Sequence, residues 1–334
     1  MQSFFQLNSL IYIIKFCLTG TVQPYIYYAI QGLREPVSSV PVQVTAPGDI
    51  RDFTYQINFK NQFHSNYDFQ EDYMTYTRIT VDSSDHVLFM GLNRPDKRNA
   101  FDLEMYSELS QAYAELHNND NLRCGVLFGH GGHFTSGLEL DKWTGVFSSG
   151  KLEIPEGCIH PLGLDEDNRC RKPVVMAVSG ICYTIGFELL LAQDIRVAAS
   201  DARIALLEVK RGIYPVCGGT VRLFEEIGWG NAMRYLLTGD EMSAAEAYRL
   251  GLVQEVVDPG KELNRATEIA ENIAKRAPLG VMAALKSARI ARVESTKLAL
   301  ERLMPDLYPL MKSEDAKEGV MSFIERREAR YKGR

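Results

Sequence analysis

The sequence predicts an α/β protein. Short apolar runs with strand character alternate with helical patterns through the middle of the chain, and glycine or polar turns separate them. Beyond Gly251 the pattern becomes helical throughout.

The elements follow in order. In "TRITVDSSDHVLFMGLN" two short strands flank a Ser83-Ser84-Asp85 turn, the pattern of a hairpin. In "AFDLEMYSELSQAYAELHNN", Leu103, Met105, Tyr106, Leu109, Tyr113 and Leu116 recur at helical spacing, with Asp102 in a capping position. "CGVLFGH" is a buried strand running into a glycine-rich turn, and residues 144–171 are a variable stretch of mixed glycine, proline and charge. "PVVMAVSG" is a further strand, "GFELLLAQ" a helix, and "IRVAAS" and "RIALLE" are strands again. Residues 74–260 are thus the expected α/β core, and residues 261–334 a C-terminal helical region that has too little core of its own and must pack on something. Residues 1–73 read as a poorly ordered extension. Their apolar run from Ser9 to Ile30 is interrupted by Lys15, Gly20 and Pro24, which argues against a membrane span, and no basic residue precedes Lys15 as a signal peptide requires.

Composition narrows the function classes. The chain has 334 residues, 46% hydrophobic and 24% charged, with a formal net charge of −6, so nothing draws it to nucleic acid. The six cysteines are scattered without a C-x-x-C pair, which fits a reducing cytoplasm rather than a disulfide framework or a metal cluster. "GHGGHF" lacks the third glycine of a dinucleotide loop, and His130 and His133 find no third ligand at useful spacing, so they read as solvated loop residues.

Two glutamates stand out. Glu188 lies among Phe187, Leu189, Leu190 and Leu191, and Glu208 ends an aliphatic run. A carboxylate in apolar company is costly unless its pKa or its partners compensate. Two turns stand out with them: Ser136-Gly137 ahead of Leu138, and Gly180 ahead of a helix that starts near Ile185. Turns of this kind leave backbone N–H groups free for an anion. Together they form a set: an oxyanion hole with an acid–base pair. The expected division of labour is that apolar surroundings keep one carboxyl protonated, while the helix start leaves the other charged.

At this point the residues resemble the enoyl-CoA hydratase/isomerase (crotonase) superfamily, from Met74 to the C-terminus. "LNRPDKRNAFD" is similar to the family's opening signature, "FTSGLELD" to its first oxyanion segment, and "KPVVMAVSGICYTIGFELLLAQDIRVAASDARIALLEVKRGIYP" to its long second signature. The resemblance implies a spiral core of repeated β-β-α units and a C-terminal helical trimerisation region, giving homotrimers or hexamers. It implies a hydro-lyase acting on enoyl-CoA thioesters. Catalysis would fall to Glu188 and Glu208, with Leu138 and Ile185 as backbone oxyanion donors. Arg98, Asn99, Ala100, Phe101, Ser136, Gly137, Glu139, Leu140 and Gly186 would contact substrate or its CoA arm. No cofactor beyond the CoA of the substrate, no metal, no nucleic acid and no membrane are implied. Double-bond isomerisation, another hydrolase or lyase reaction of the same fold, and a weakly active CoA-thioester-binding role are the alternatives. The chain departs from the family at Thr184-Ile185-Gly186, where hydratases carry consecutive glycines, at Leu138 in place of alanine and Glu139 in place of aspartate, and at Val216 and Cys217 in place of small residues. Dienoyl-CoA isomerases carry an acid near Val216, which this chain lacks.

Overall fold

The computed structural model describes residues 76–165 and 168–334, and the expected extension, residues 1–73, lies outside them. The chain opens with β1 (Ile79–Ser84) and β2 (Val87–Leu92), an antiparallel pair in which Ser84 faces Val87. The expected Ser83-Ser84-Asp85 turn is shifted. Ser83 and Ser84 belong to β1, and the loop is Asp85-His86, both with positive φ (48° and 69°). A two-residue loop with positive φ at both positions matches the twist of the strands it joins.

Helix α1 (Leu103–Asn118) begins where the Asp102 side chain accepts the Met105 N–H at 2.8 Å. It buries Met105, Tyr106, Leu109, Tyr113 and Leu116, while Leu103, expected on that stripe, is exposed. Glu108 faces inward from the same helix and accepts the backbone N–H groups of Thr77, Arg78 and Ile79, so the entry to β1 is clamped to α1.

The remaining core is β3 (Cys124–Gly129), α2 (Thr144–Ser149), β4 (Val174–Val178), β5 (Ile181–Tyr183), α3 (Ile185–Ala192), β6 (Ile195–Ala199), β7 (Arg203–Ala205), α4 (Gly219–Ile227), α5 (Trp229–Thr238), β8 (Met242–Ser243), α6 (Ala244–Arg249) and β9 (Glu255–Val257). The six-stranded sheet runs β1-β2-β3-β4-β6-β9, parallel from β2 onward, and a smaller sheet runs β5-β7-β8. The chain therefore alternates: β4 in the large sheet, β5 in the small one, then α3; β6 in the large sheet, then β7 in the small one. Single bridges Thr135↔Cys182 and Phe101↔Leu138 continue the small layer through the earlier turns of this spiral. Since β3, β4 and β6 run parallel, the chain leaves each of them at the same edge of the large sheet.

The central strands β2, β3, β4 and β6 are buried on both faces and so read as largely apolar runs, whereas the edge strand β1 is mostly exposed. Leu88, Met90, Leu92, Leu127, Met176 and Val178 face the main core, while Val87, Val126, Val175, Ala177 and Val197 face outward. The outer face is covered by α7 (Glu262–Ala274), whose Ala266, Ala270 and Ala274 recur every four residues and let the helix approach closely. Sequence character changes ahead of α7, but this helix packs on the sheet. The helices α8 (Pro278–Val293), α9 (Thr296–Leu310) and α10 (Glu314–Glu325) follow. On α9, Leu300, Leu303, Met304, Leu307 and Tyr308 form an exposed apolar stripe. Arg289 ties α8 to the core through the Cys170 carbonyl (2.6 Å) and Asp194 (2.9 Å). Among the described residues no helix is long and apolar enough to cross a membrane.

Candidate active site

The site begins where β3 and β4 leave the large sheet. After β3 the chain turns through Gly137, whose φ of 108° is open to glycine alone; a Cβ there would lie 2.3 Å from Thr184 Oγ1. After β4 it turns at Gly180, where a Cβ would meet His133 Nδ1 at 2.2 Å and the Gly132 carbonyl at 2.3 Å. The two turns consequently pack against one another. Leu138 follows Gly137 directly, and Ile185 lies beyond β5, directly after Thr184; these two carry the N–H groups expected to act together.

Neither group is spent on the fold. Phe101 N–H bonds Gly137 O and Glu139 N–H bonds Phe101 O, which turns the intervening Leu138 N–H away from that bridge. Ile185 opens α3, and its N–H is one of the orphan donors of a helix N-terminus. Among the described residues neither N–H donates to any protein acceptor.

Glu188 lies one turn into α3 with 3% of its surface exposed, and its Oε1 accepts the Cys217 N–H at 2.7 Å and the Gly219 N–H at 2.9 Å. Glu208 starts a short 3-10 turn after β7 and is 8% exposed. Its Oε2 is buried with no hydrogen-bond partner, a rare state for a carboxylate oxygen. Burial raises the Glu188 carboxyl to about 7; the Gly219 and Cys217 amides pull it down, and the charge of Glu208 pushes it up. Burial likewise raises Glu208 to about 7. Near neutral pH two such coupled acids share a proton between them, so one can be protonated while the other is charged. Cys217 is buried beside them, and both carboxylates push its thiol upward after burial itself.

Several side chains of the opening signature are engaged within the protein. Asn99 is fully buried with φ 54°; its Nδ2 donates to the carbonyls of His130 and His133 and its Oδ1 accepts the Arg94 N–H, all at 2.8 Å. Phe101 is also fully buried, and its carbonyl accepts the Trp143 indole N–H at 2.8 Å. Glu139 pairs with Lys97 (2.5 Å) and Arg94 (2.9 Å), which hold its carboxyl down at about 2. The side chains of Asn99, Phe101 and Glu139 therefore bond and pack within the protein. Ser136 donates to the Lys97 carbonyl, and Gly186 leaves room for Thr135, where a Cβ would lie 2.4 Å from its methyl group. Arg98 and Leu140 are exposed and Ala100 is half-buried on the same segments, free to meet a ligand.

His130 and His133 are not solvated bystanders. His130 Nε2 pairs with Thr80 Oγ1 at 2.8 Å, and His133 Nδ1 accepts the Ile181 N–H at 3.3 Å, bracing the glycine-rich turn against β1 and β5.

Two features escaped the sequence. The Tyr106 hydroxyl pairs with His160 Nδ1 at 2.7 Å, so the variable stretch reaches the core beside Glu188, whose charge adds to the burial that raises the Tyr106 phenol. Thr184 adopts φ 50°, ψ −114°, a region reserved in practice for glycine. Holding such a residue there costs about 1–3 kcal/mol. No local spacing announces the first; a β-branched residue in a family glycine position announced the second.

Residues 82–334 match the enoyl-CoA hydratase/isomerase family, and the chain belongs to it. It is 34% identical over 257 residues to the enoyl-CoA hydratase EchA19 of Mycobacterium tuberculosis, covering 76% of this chain and 96% of the relative. It is 30% identical over 268 residues to the mitochondrial Delta(3,5)-Delta(2,4)-dienoyl-CoA isomerase of Dictyostelium discoideum, covering 77% and 91%. Among solved structures, a probable enoyl-CoA hydratase/isomerase from Mycobacterium abscessus superposes with a TM-score of 0.76 at 44% identity, over 78% of this chain and all of the other.

Proposed function

We propose that the protein is an enoyl-CoA hydratase, adding water reversibly across the double bond conjugated to a CoA thioester. The observation that carries this reading is the pairing of two buried, matched carboxyls with two unspent backbone donors on adjoining turns. Leu138 and Ile185 N–H groups bind the thioester oxygen and hold the enolate charge that develops on it. Glu188 and Glu208 share a water: as its oxygen attacks Cβ, one carboxylate takes its proton and the other carboxyl delivers a proton to Cα. Glu188, gripped by two amides, suits the fixed member of the pair. No cofactor besides the CoA of the substrate enters this scheme.

The same pair could move a double bond between Cβ–Cγ and Cα–Cβ, and the isomerase among the relatives keeps that second reading open. Val216 stands, exposed, where dienoyl-CoA isomerases carry an acid, which favours hydration. The exposed stripe of α9 is the surface for a homotrimer, and the free cysteines suit a cytoplasmic setting. Loss of the conjugated-thioester absorbance of crotonyl-CoA tests the reading, with medium-chain and aromatic enoyl-CoAs in parallel. Wild-type turnover that Glu188→Gln and Glu208→Gln each abolish supports it. A wild type inert on every enoyl-CoA overturns it, and equal turnover by all three proteins overturns the site.

A further inference from the structure

The Leu138 N–H is held by a slender device. The two chain segments that place it meet at the single Phe101↔Leu138 bridge, where Phe101 N–H bonds Gly137 O and Glu139 N–H bonds Phe101 O, both at 2.9 Å. No strand ladder extends the bridge on either side, so two hydrogen bonds alone would fix its angle loosely. The Arg94 side chain, 14% exposed, supplies a further restraint. On one segment its Nη1 donates to the Ala100 carbonyl at 2.5 Å and lies 3.3 Å from the Asp102 carboxylate. On the other it forms an ion pair with the Glu139 carboxylate at 2.9 Å. The residues it touches are therefore the two that flank Phe101 and the one that follows Leu138. Arg94 is itself anchored: its N–H donates to Asn99 Oδ1 at 2.8 Å, and its carbonyl accepts the Asn99 N–H at 2.9 Å. Lys97 takes the other oxygen of Glu139 at 2.5 Å.

We propose that Arg94 is a positioning residue of the oxyanion hole, which acts with Glu139 to clamp the Phe101↔Leu138 bridge and so aims the Leu138 N–H. This rests on the reading of Leu138 as an oxyanion donor but not on which reaction follows. Arg94 meets no reacting atom in this scheme; its work is done through the backbone of its neighbours. A donor counts most when it already points at the oxygen that gains charge, and charged groups that brace it from behind supply that preorganisation. A tilted donor binds the ground-state carbonyl nearly as well but stabilises the enolate less, so losing the clamp acts mainly on kcat.

Arg94→Met removes the guanidinium and keeps most of the stem; Glu139→Gln keeps the shape of the second arm and removes its charge. Two readouts are taken for each variant and for the pair combined: steady-state turnover of the best enoyl-CoA, and the red shift of a chromophoric cinnamoyl-CoA thioester on binding, which reports polarisation of its carbonyl. Arg94→Met should lower kcat roughly tenfold, less than the hundredfold or more of deleting a donor outright, with KM changed little and a smaller red shift. Glu139→Gln should move both readouts the same way. The double variant should be no worse than Arg94→Met, because the two residues act through one bridge. If Arg94→Met does not fold, Glu139→Gln decides the matter. Variants with wild-type kcat and red shift overturn the proposal, whatever their melting temperature. A raised KM with kcat and red shift unchanged also overturns it, since Arg94 would then serve binding of the CoA arm. If the wild type turns over no enoyl-CoA, the hydratase reading fails, and the red shifts alone still decide the role of Arg94. A wild type that gives no red shift removes the oxyanion hole and this proposal with it.

Discussion

Glu188 Oε1 accepts the Cys217 N–H at 2.7 Å, so an acid on α3 is oriented by the backbone of a segment 29 residues further along the chain. With the Gly219 N–H at 2.9 Å on the same oxygen, the grip is bidentate and made by groups that cannot titrate. Glutamine retains a carbonyl oxygen able to accept both bonds. Glu188→Gln is therefore expected to fold, with a thermal midpoint equal to or above wild type, because a neutral amide is cheaper to bury than a carboxylate. Its kcat on an enoyl-CoA is expected to fall by about 10² or more, the usual scale for losing a positioned acid–base group. Calorimetry beside the thioester assay checks both halves; a variant that melts far below wild type would show that the charge itself holds the segment.

The raised carboxyls make stability depend on pH in a definite direction. In the unfolded chain both acids release their protons near the ordinary carboxylate value, whereas in the fold each holds its proton to about 7. The folded state thus binds more protons across this interval, and their contribution, complete below the unfolded pKa, is lost as pH rises toward 7. Urea titrations between pH 4.5 and 7.5 should show wild type losing more stability over that span than the Glu188→Gln/Glu208→Gln double variant. Activity needs one acid protonated and its neighbour ionised, so kcat/KM should peak near neutrality and fall on both sides. A rate that rises steadily to pH 9 would contradict that.

Asn99 holds three backbone groups from two segments while its own backbone sits at φ 54°. Asn99→Ala strands these buried partners, and the expected loss is about 3 kcal/mol in denaturant unfolding. A raised KM should accompany it, since the glycine-rich turn and the exposed Arg98 both depend on this side chain for their placement. Unchanged stability would mean that water replaces the amide.

Gly137 and Thr184 should be coupled. Gly137→Ala places a methyl group against Thr184 Oγ1 in a backbone conformation that already excludes a side chain, so the single variant is expected to be badly destabilised. In a Thr184→Gly background the steric conflict disappears and only the φ penalty remains. The double-mutant cycle should then give a coupling of about 1 kcal/mol or more. Additive effects would place the two turns further apart than the structure does.

The sequence by itself determined the local pieces. The apolar strands, the Asp102 cap, the placing of Glu188 in the first turn of a helix and the turns before Leu138 and Ile185 all follow from patterns a few residues long, because propensity, capping and side-chain period are local properties. Only the tertiary structure decided what each polar group is for. Asn99, Glu139, His130 and His133 read as ligand contacts or solvated residues; their hydrogen-bond partners lie on other segments, and those partners leave their side chains occupied within the protein. The rise of the Glu188 carboxyl has the same origin: the burial that causes it is the sum of neighbours from distant elements. Whether a hydroxyl such as that of Thr184 is bonded or left free is likewise a statement about every atom around it, and that information exists only once the chain has closed into its layers.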